Sequence, residues 1–290
     1  MDSLDLLNPY LFRHNGKFFF IKEGLNPKDL DDLLDLDVRP TDIYLASYPK
    51  SGTTWMQQIL LKIVDAAHPD QVEDGTNRER CPMLEGDTSS SCRRERPDPR
   101  LCRTHLPPYM LPHGVQTKGA KVVYVMRNPK DVLVSYYHFS QGLSLMEPPK
   151  SFDHFFQDFV EGKVPWGSWF EHVREFYSEK DQMNIHFVMY EDMLKDLRAE
   201  VVKLCAFLEK DLTDEAISDV VESSIFKNMK KNPKANYKDL VANERYTKIT
   251  MRKGVAGDWK NHFTVAQNEY FDRVFTERMS DFPVSFTWDM

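Results

Sequence analysis

Three short apolar runs lie along the chain, and each has the length of a buried β-strand. They are residues 43–47, 121–126 and 185–190. The first two are rich in Ile, Val and Tyr, which favour strands, and polar or turn-forming residues follow both. We therefore predict three strands that are buried on both faces.

Apolar residues recur at helical spacing after each of these runs. From Thr53 they fall at three- and four-residue steps until His68-Pro69, where proline ends the pattern. Pro129, preceded by a capping asparagine, begins a second predicted helix that continues through Phe139. A third predicted helix covers residues 191–208.

Strands that alternate with helices predict an α/β fold, a central parallel sheet flanked by helices. The sequence shows no internal repeat or long linker, so we predict one domain over residues 1–290. Two polar segments, residues 81–100 and 232–253, read as loops. Ligands of such sheets bind beyond the carboxyl ends of the strands, so the residues that follow the strands are the first candidates for a site.

Composition excludes several classes of function. The net charge of −7 argues against a nucleic-acid-binding protein, and no apolar run reaches the ~20 residues of a membrane span. The four cysteines lack the spacing of a zinc site, so we expect no metal. Sparse cysteines and an acidic N-terminus without a cationic leader predict a soluble cytoplasmic protein.

The segment Y-P-K-S-G-T-T-W, residues 48–55, connects the first strand to its helix. Gly52 lets the backbone approach a ligand, the helix N-terminus attracts an anion, and Lys50 adds a positive charge. The alternative is a capped helix beside a surface lysine. The segment is not the G-x-x-x-x-G-K-[ST] loop of common ATPases, because Lys50 precedes Gly52.

Three further groups are candidates that are weak when taken alone. Arg127 and Ser135, at the second strand end and in its helix, are able to bind a second phosphate, although arginine after a strand is common. The run R-K-G at residues 252–254 offers two charges beside an open backbone, or is simply a basic turn. His105 has the pKa range of a general base, although a lone histidine is more often structural.

Taken in order, the motifs resemble those of the cytosolic sulfotransferases from about residue 9 to residue 288. Y-P-K-S-G-T-T-W is similar to the family's 5′-phosphosulfate loop. R-N-P-K-D-V-L-V-S-Y-Y-H-F is similar to its 3′-phosphate segment, and R-K-G-V-A-G-D-W-K-N-H-F-T-V to its C-terminal signature. The resemblance implies a phosphate-binding loop like that of P-loop nucleotide kinases. It also implies the sulfuryl donor 3′-phosphoadenosine 5′-phosphosulfate (PAPS), with no metal.

The same resemblance assigns roles to individual residues. His105 would be the general base, Lys50 would neutralise charge on the leaving phosphate, and Ser135 would restrain Lys50. The 5′-phosphosulfate would contact Lys50, Ser51, Gly52, Thr53 and Thr54, and the 3′-phosphate Arg127, Ser135, Arg252, Lys253 and Gly254. The adenine would lie among Trp55, Tyr190, Ser224, Phe226 and Met229.

The acceptor is less well defined than the donor. Arg103 stands where many family members have lysine, two residues before the histidine. An apolar pocket suits phenols, steroid alcohols or amines, and several segments look closest to the amine-type branch. The predicted pocket residues, besides Arg103 and His105, are Phe20, Pro49, Phe139, Met146, Tyr237 and Tyr246.

The resemblance also implies a homodimer. K-N-H-F-T-V-A-Q-N-E fits the family's short dimer motif, with Lys260, Thr264, Val265 and Glu269 at the matching positions. The alternative to a sulfotransferase is a nucleotide-binding protein of the same fold, with kinase activity or with no catalysis. Magnesium-dependent ATP turnover, or nucleotide binding without sulfation, would distinguish those two alternatives.

Overall fold

Four parallel strands form the centre of the fold. The computed structural model describes residues 11–20, 26–86, 96–247 and 250–290. Its strands in chain order are β1 (Leu11–His14), β2 (Lys17–Phe20), β3 (Ile43–Ser47), β4 (Leu101–Thr104), β5 (Lys121–Met126) and β6 (Ile185–Met189). Strands β1 and β2 form an antiparallel pair, and the other four form the parallel sheet in the order β4-β3-β5-β6.

The register of the sheet aligns the strand ends that carry the motifs. Ile43 of β3 pairs with Leu101 of β4 and with Lys121 of β5. The carboxyl ends of β3, β4 and β5 therefore lie side by side, and the residues that follow them share one edge of the sheet. This arrangement confirms the predicted α/β fold with a central parallel sheet.

Helices flank the sheet. In chain order they are α1 (Pro27–Asp32), α2 (Thr53–Ala67), α3 (Asn77–Arg80), α4 (His113–Thr117), α5 (Pro129–Ser140), α6 (Phe152–Glu161), α7 (Trp169–Ser178), α8 (Tyr190–Lys195), α9 (Leu197–Leu208), α10 (Asp214–Ser224), α11 (Phe226–Lys231), α12 (Lys238–Ala242) and α13 (Val265–Met279). Short 3-10 helices cover Pro69–Gln71, Pro108–Met110 and Asp258–Asn261.

Alternate residues of the strands enter two separate hydrophobic clusters. In β3, Tyr44 and Ala46 pack with α5, α6 and α7, whereas Ile43 and Leu45 pack with α2 and α9. Because side chains alternate across a strand, this division shows that both faces of the sheet are covered. Double coverage explains why these strands appear in the sequence as continuous apolar runs.

Two predictions of secondary structure need correction. The helix predicted over residues 191–208 is two helices, α8 and α9, and Tyr190 begins α8 instead of ending a strand. Asp196 separates them because its side chain caps α9, accepting a hydrogen bond from the backbone N–H of Ala199 at 2.9 Å. The polar segment 232–253 is not loop throughout, since it contains α12.

Some predictions fall only partly within the described residues. The loop predicted at residues 81–100 is described at its two ends, and Cys92 lies outside the described residues. Cys81, Cys102 and Cys205 are buried. Within the described ranges, no helix has both the length and the apolar character needed to cross a bilayer.

Candidate active site

The loop between β3 and α2 has the backbone expected of an anion-binding turn. Gly52 has a φ of 116°, and a Cβ added there would lie 2.8 Å from the ring of Tyr190. Lys50 also has a positive φ, 71°, which is uncommon for a residue with a side chain. The strained turn ends at Thr53, whose hydroxyl lies 2.7 Å from that of Ser47.

The N-terminus of α2 has no side-chain cap. Gly52 occupies the capping position, so no side chain there accepts a hydrogen bond from the first amides of the helix. The hydroxyl of Ser51 is buried without a hydrogen-bond partner. Exposed helix amides and an unpaired hydroxyl at the end of a helix dipole are a suitable site for an anion.

Lys50 points along the cavity wall formed by α5. Its ammonium lies over the ring of Phe139, 4.2 Å from the centroid. Ser135 is one helical turn before Phe139 and lines the same cavity. Burial, together with the nearby charges of Arg127 and Arg252, lowers the pKa of Lys50 to about 7.

Arg127 connects the loop to the C-terminal segment. Its guanidinium donates to the backbone carbonyls of Lys50, at 3.2 Å, and Val255, at 3.0 Å. The same group lies over the ring of Tyr190, 4.2 Å from the centroid, while its Nε is buried without a partner. Arg127 therefore has one donor, next to the strand ends, that no group among the described residues satisfies.

An aromatic wall begins at Trp55. Its ring meets that of Tyr190 edge to face at 5.3 Å, and its Nε1 donates to the backbone carbonyl of Ser224 at 2.7 Å. The hydroxyl of Ser224 is buried without a partner. Phe226 and Met229 line the cavity from α11, and a flat apolar surface of this kind suits a nucleobase.

Asp258 holds the two cations of the C-terminal signature. It accepts from Arg252 at 2.6 Å and from Lys253 at 2.5 Å. Although burial opposes the effect, these hydrogen bonds and that of Asn261 keep the pKa of Asp258 well below its usual range. Gly254, with a φ of 70°, is so close to the ring of Phe226 that a Cβ there would overlap it.

The second motif and the C-terminal signature bind each other directly. Asp131 accepts from the backbone N–H groups of Gly257, at 2.7 Å, and Trp259, at 3.0 Å. Lys130 is buried, and its ammonium lies over the ring of Trp259 at 4.3 Å and donates to Asn268 at 2.6 Å. The sequence motif R-N-P-K-D thus holds the signature beside the loop between β3 and α2.

These elements surround one cavity of about 460 Å³. Among the predicted site residues, the cavity is lined by Phe20, Pro49, Lys50, Gly52, Thr53, Thr54, Trp55, Arg103, His105, Arg127, Ser135, Phe139, Tyr190, Phe226, Met229, Tyr237, Tyr246, Arg252, Lys253 and Gly254. Ser51 and Ser224 lie behind this surface, and Met146 packs beside the core without reaching the cavity.

His105 lies at the end of β4 with its imidazole on the cavity. Its Nδ1 is 2.7 Å from the backbone carbonyl of Ser47, which accepts a hydrogen bond but cannot donate one. Nδ1 therefore carries the proton, and Nε2 is the basic nitrogen. Burial, with the charges of Arg103 and Lys50, lowers the pKa of His105 to about 4, although the Ser47 hydrogen bond acts in the other direction.

Comparison with known proteins decides the family. Residues 40–283 match the family model described as "Sulfotransferase domain". The chain belongs to the sulfotransferase family. This membership confirms both the predicted enzyme class and the predicted resemblance, while the extent of a single domain over residues 1–290 stays a prediction.

Individual sulfotransferases are similar over almost the whole chain. The amine sulfotransferase of Oryctolagus cuniculus is 42% identical over 99% of this chain and 96% of its own length. The 3-beta-hydroxysteroid sulfotransferase of Cavia porcellus is 38% identical over 92% of this chain and 94% of its own. The mouse sulfotransferase SULT7A1, solved in complex with PAP, superposes with a TM-score of 0.78 at 32% identity, covering 94% of this chain and 95% of its own.

Arg103, where the sequence resemblance implies lysine in many family members, contacts two other segments of the chain. Its guanidinium donates to the backbone carbonyl of Cys81 and lies 5.9 Å from the ring centroid of Tyr237. A planar fork can bind this carbonyl and still present other N–H groups to the cavity, which a compact ammonium does less easily. Arg103 thus connects the wall of the cavity to the residue that follows α3 and the residue that precedes α12.

Several residues of the site carried no signal in the sequence. Trp166 lines the cavity and meets His105 edge to face at 5.3 Å, yet it comes from the segment before α7. Leu143 and Leu145 add apolar surface after α5. Glu85 and His172 contact the backbone of His105 from behind the cavity. Only the tertiary fold brings these segments together.

Proposed function

We propose that this enzyme transfers the sulfuryl group of PAPS to a hydroxyl or amine of a small apolar acceptor, with His105 as the general base. The products are PAP and a sulfate conjugate. PAPS supplies an activated sulfuryl group on a good leaving phosphate. The chain's own residues bind the donor, orient the acceptor and remove its proton.

The observation that carries this proposal is the fixed tautomer of His105. The Ser47 carbonyl holds the proton on Nδ1, so Nε2 is free to accept a proton from an acceptor in the cavity. The lowered pKa keeps the imidazole neutral at physiological pH, as a general base must be. The sequence also allowed a purely structural histidine, but the imidazole of His105 lines the cavity, which favours the general base.

Unsatisfied polar atoms support the binding of an anionic nucleotide. The buried hydroxyls of Ser51 and Ser224 and the buried Nε of Arg127 all lack partners, although buried polar groups are normally hydrogen-bonded. Each belongs to the set predicted to contact PAPS. We assign the 5′ end to the loop at Lys50–Thr54 and the 3′-phosphate to the cations at Arg127, Arg252 and Lys253.

The remainder of the cavity suits an apolar acceptor. Apolar side chains line the cavity that His105 faces, among them Phe20, Phe139, Leu145 and Trp166. The ring of Trp166 contacts those of His105 and Phe20, each at 5.3 Å. The named relatives act on amines and on 3-beta-hydroxysteroids, so we propose an acceptor among phenols, steroid alcohols and arylamines. Every residue predicted for the acceptor pocket lines the cavity except Met146; these are Phe20, Pro49, Arg103, His105, Phe139, Tyr237 and Tyr246.

Replacement of His105 tests the proposal. We expect the purified protein to sulfate 4-methylphenol with labelled PAPS, and His105→Ala to lower kcat by about 10²- to 10⁴-fold. PAP affinity, measured by calorimetry, should change by less than about twofold, because a neutral imidazole contributes little to phosphate binding. His113→Ala, which removes an exposed imidazole, is the control. Normal turnover by His105→Ala would remove the proposed role.

We also propose that the enzyme is a cytoplasmic homodimer. Val265 in the predicted dimer motif is 77% exposed, more than any other large apolar side chain among the described residues. Thr264 caps α13 beside it, and Glu269 is exposed on the same helix, while Lys260 pairs with Asp289 of its own chain. These contacts present Val265 at a corner that a second copy is able to cover.

A charge at Val265 should separate the two subunits. Such an interface is small, so Val265→Glu is expected to shift the molar mass from light scattering from about two chains to one. Val202→Glu, which adds a charge at another exposed valine on α9, should leave the mass unchanged. A monomeric parent protein would contradict the dimer.

A further inference from the structure

Two buried residues with no assigned role hold the backbone of His105 on opposite sides. We propose that Glu85 and His172 are positioning residues, which fix the peptide groups around His105 so that its imidazole stays aligned for proton transfer. Neither residue lines the cavity, so neither touches a reactant. This inference rests on the proposed role of His105 as the general base.

Glu85 fixes the amino side of His105. One carboxylate oxygen accepts from the backbone N–H of His105 at 2.6 Å, and the other accepts from the hydroxyl of Thr104 at 2.8 Å. The oxygen of Thr104 in turn accepts from the backbone N–H of Leu106 at 3.0 Å. One side chain with 1% exposure therefore orders three consecutive residues where β4 ends.

The backbone around Glu85 is itself held against the strand that carries His105. Leu84 donates to the carbonyl of Arg103 at 2.8 Å, and Arg103 donates to the carbonyl of Pro82 at 2.9 Å. This pairing with the edge strand β4 fixes the backbone position from which the side chain of Glu85 extends. Burial of a carboxylate costs free energy unless hydrogen bonds offset the loss of water, and Glu85 accepts one on each oxygen.

His172 fixes the carbonyl side of His105. Its Nε2 lies 3.0 Å from the backbone carbonyl of His105, so this nitrogen must be the donor. Its Nδ1 then accepts from the hydroxyl of Tyr124 at 2.8 Å. Burial lowers the pKa of His172 to about 3, which keeps the ring neutral with a single N–H. Tyr124 is fully buried in β5, so the chain of hydrogen bonds ends in the sheet.

Together with the Ser47 carbonyl, these contacts restrain His105 at three points. The amide N–H, the carbonyl and the ring Nδ1 are each bound to a different segment of the chain. A general base must be placed accurately, since a displacement of about 1 Å can lower a rate by about 10²-fold. The three contacts provide that accuracy without entering the cavity.

Two variants that each remove one hydrogen bond to the backbone of His105 test the positioning role. Glu85→Ala removes the acceptor on the amino side, and His172→Phe keeps a ring but removes the donor on the carbonyl side. For each we expect kcat with 4-methylphenol to fall by about 10- to 100-fold, with PAP affinity within about twofold of the parent. Binding of PAP also gives the fraction of folded protein, so a loss of folding is not counted as a loss of kcat.

The acceptor supplies a readout that a merely structural residue would not change. 4-Nitrophenol ionises more readily than 4-methylphenol, so its transfer depends less on a base. We expect Glu85→Ala and His172→Phe to slow 4-methylphenol at least about fivefold more than 4-nitrophenol, as His105→Ala does, because all three impair proton removal. Equal losses with both phenols would overturn the positioning role.

Conservative variants keep the test decisive if Glu85→Ala or His172→Phe does not fold. Glu85→Gln retains one acceptor oxygen and His172→Gln retains a donor, and both should recover most of kcat. Matched controls are Glu200→Gln, at a buried carboxylate paired with Lys203, and His186→Phe, at a ring stacked on Phe207. If His105→Ala is inactive while Glu85→Ala and His172→Phe keep full kcat, the positioning role is wrong and the general-base role of His105 stands. A fully active His105→Ala removes the proposed base instead.

Discussion

The two ends of the cavity are built in different ways. At the end that we propose binds the donor, Lys50, Arg127 and Arg252 come from three continuous motifs. Lys50 and Arg127 follow β3 and β5, whereas the segment after Arg252 is bound by Arg127 through Val255 and by Asp131 of α5 through Gly257. At the acceptor end, Phe20, Leu145 and Trp166 come from segments far apart in the chain, and the side chains share only apolar character. Recognition of phosphates needs particular groups at fixed spacing, whereas an apolar wall accepts many residue types.

This difference predicts separable effects of mutations. Changes at the donor end should alter nucleotide affinity for every acceptor, and changes at the acceptor end should alter the KM of the acceptor without altering nucleotide affinity. His105 lies where the two ends meet, so its replacement affects kcat instead.

The largest effect is expected at the 3′-phosphate cations. Lys253→Met should weaken PAP binding by about 10- to 100-fold, since a hydrogen bond to a charged group contributes about 1.5–3 kcal/mol. Its side chain is 47% exposed, so solvent screening favours the lower part of that range. Lys203→Met, at an exposed lysine also paired with a carboxylate, should bind PAP normally. Calorimetry provides both affinities, and equal affinities would place the 3′-phosphate elsewhere.

A smaller effect is expected at the acceptor wall. Leu145→Ala should raise the KM for 4-methylphenol by about threefold to tenfold, because it removes apolar surface from the cavity. PAP affinity should remain within about twofold. Leu36→Ala shortens a side chain that packs against the same hydrophobic cluster but lies outside the cavity, so its KM should match the parent. A change in PAP affinity in Leu145→Ala would show that the two ends are not separable.

The smallest expected effect is the uptake of a fraction of a proton by Lys50 when PAP binds. With a pKa of about 7, Lys50 is mostly neutral above that pH in the free protein, and a nearby phosphate favours its charged form. Binding of PAP at about pH 8 should therefore take up a fraction of a proton that is absent at about pH 6. The enthalpy of binding in buffers of different ionisation heats measures this uptake.

The matched variants for this measurement are at Lys50, in the loop between β3 and α2, and at Lys62, within α2. Lys50→Met should lose the additional uptake at the higher pH, and Lys62→Met, at a lysine of α2 that pairs with Asp65, should keep it. An identical proton uptake in Lys50→Met and the parent protein would show that Lys50 does not change its charge on binding.

The two ends of the cavity also differ in how far the sequence predicts their residues. Strands β3 and β5 and the start of α2 followed from apolar runs and turn residues, because a doubly covered parallel sheet leaves that pattern. The motif residues at Lys50 and Arg127 were brought to one cavity because parallel strands end at the same edge.

Other features depended on contacts between distant segments. The break at Asp196 was missed because a capping side chain overrides an otherwise continuous apolar pattern. Glu85 and His172 had no motif around them, and their importance appears only when they contact residue 105 across 20 and 67 positions of the chain. Met146, predicted to line the cavity, lies beside the core instead, since a loop's path cannot be derived from its residue types.

A crystal structure of the complex with PAP tests the central claim most directly. We expect the 5′-phosphate at the amides of residues 51–54 and Lys50, and the 3′-phosphate within hydrogen-bond distance of Arg127, Arg252 and Lys253. A nucleotide bound with its 3′-phosphate away from those three cations, or its 5′ end away from Lys50, would contradict it.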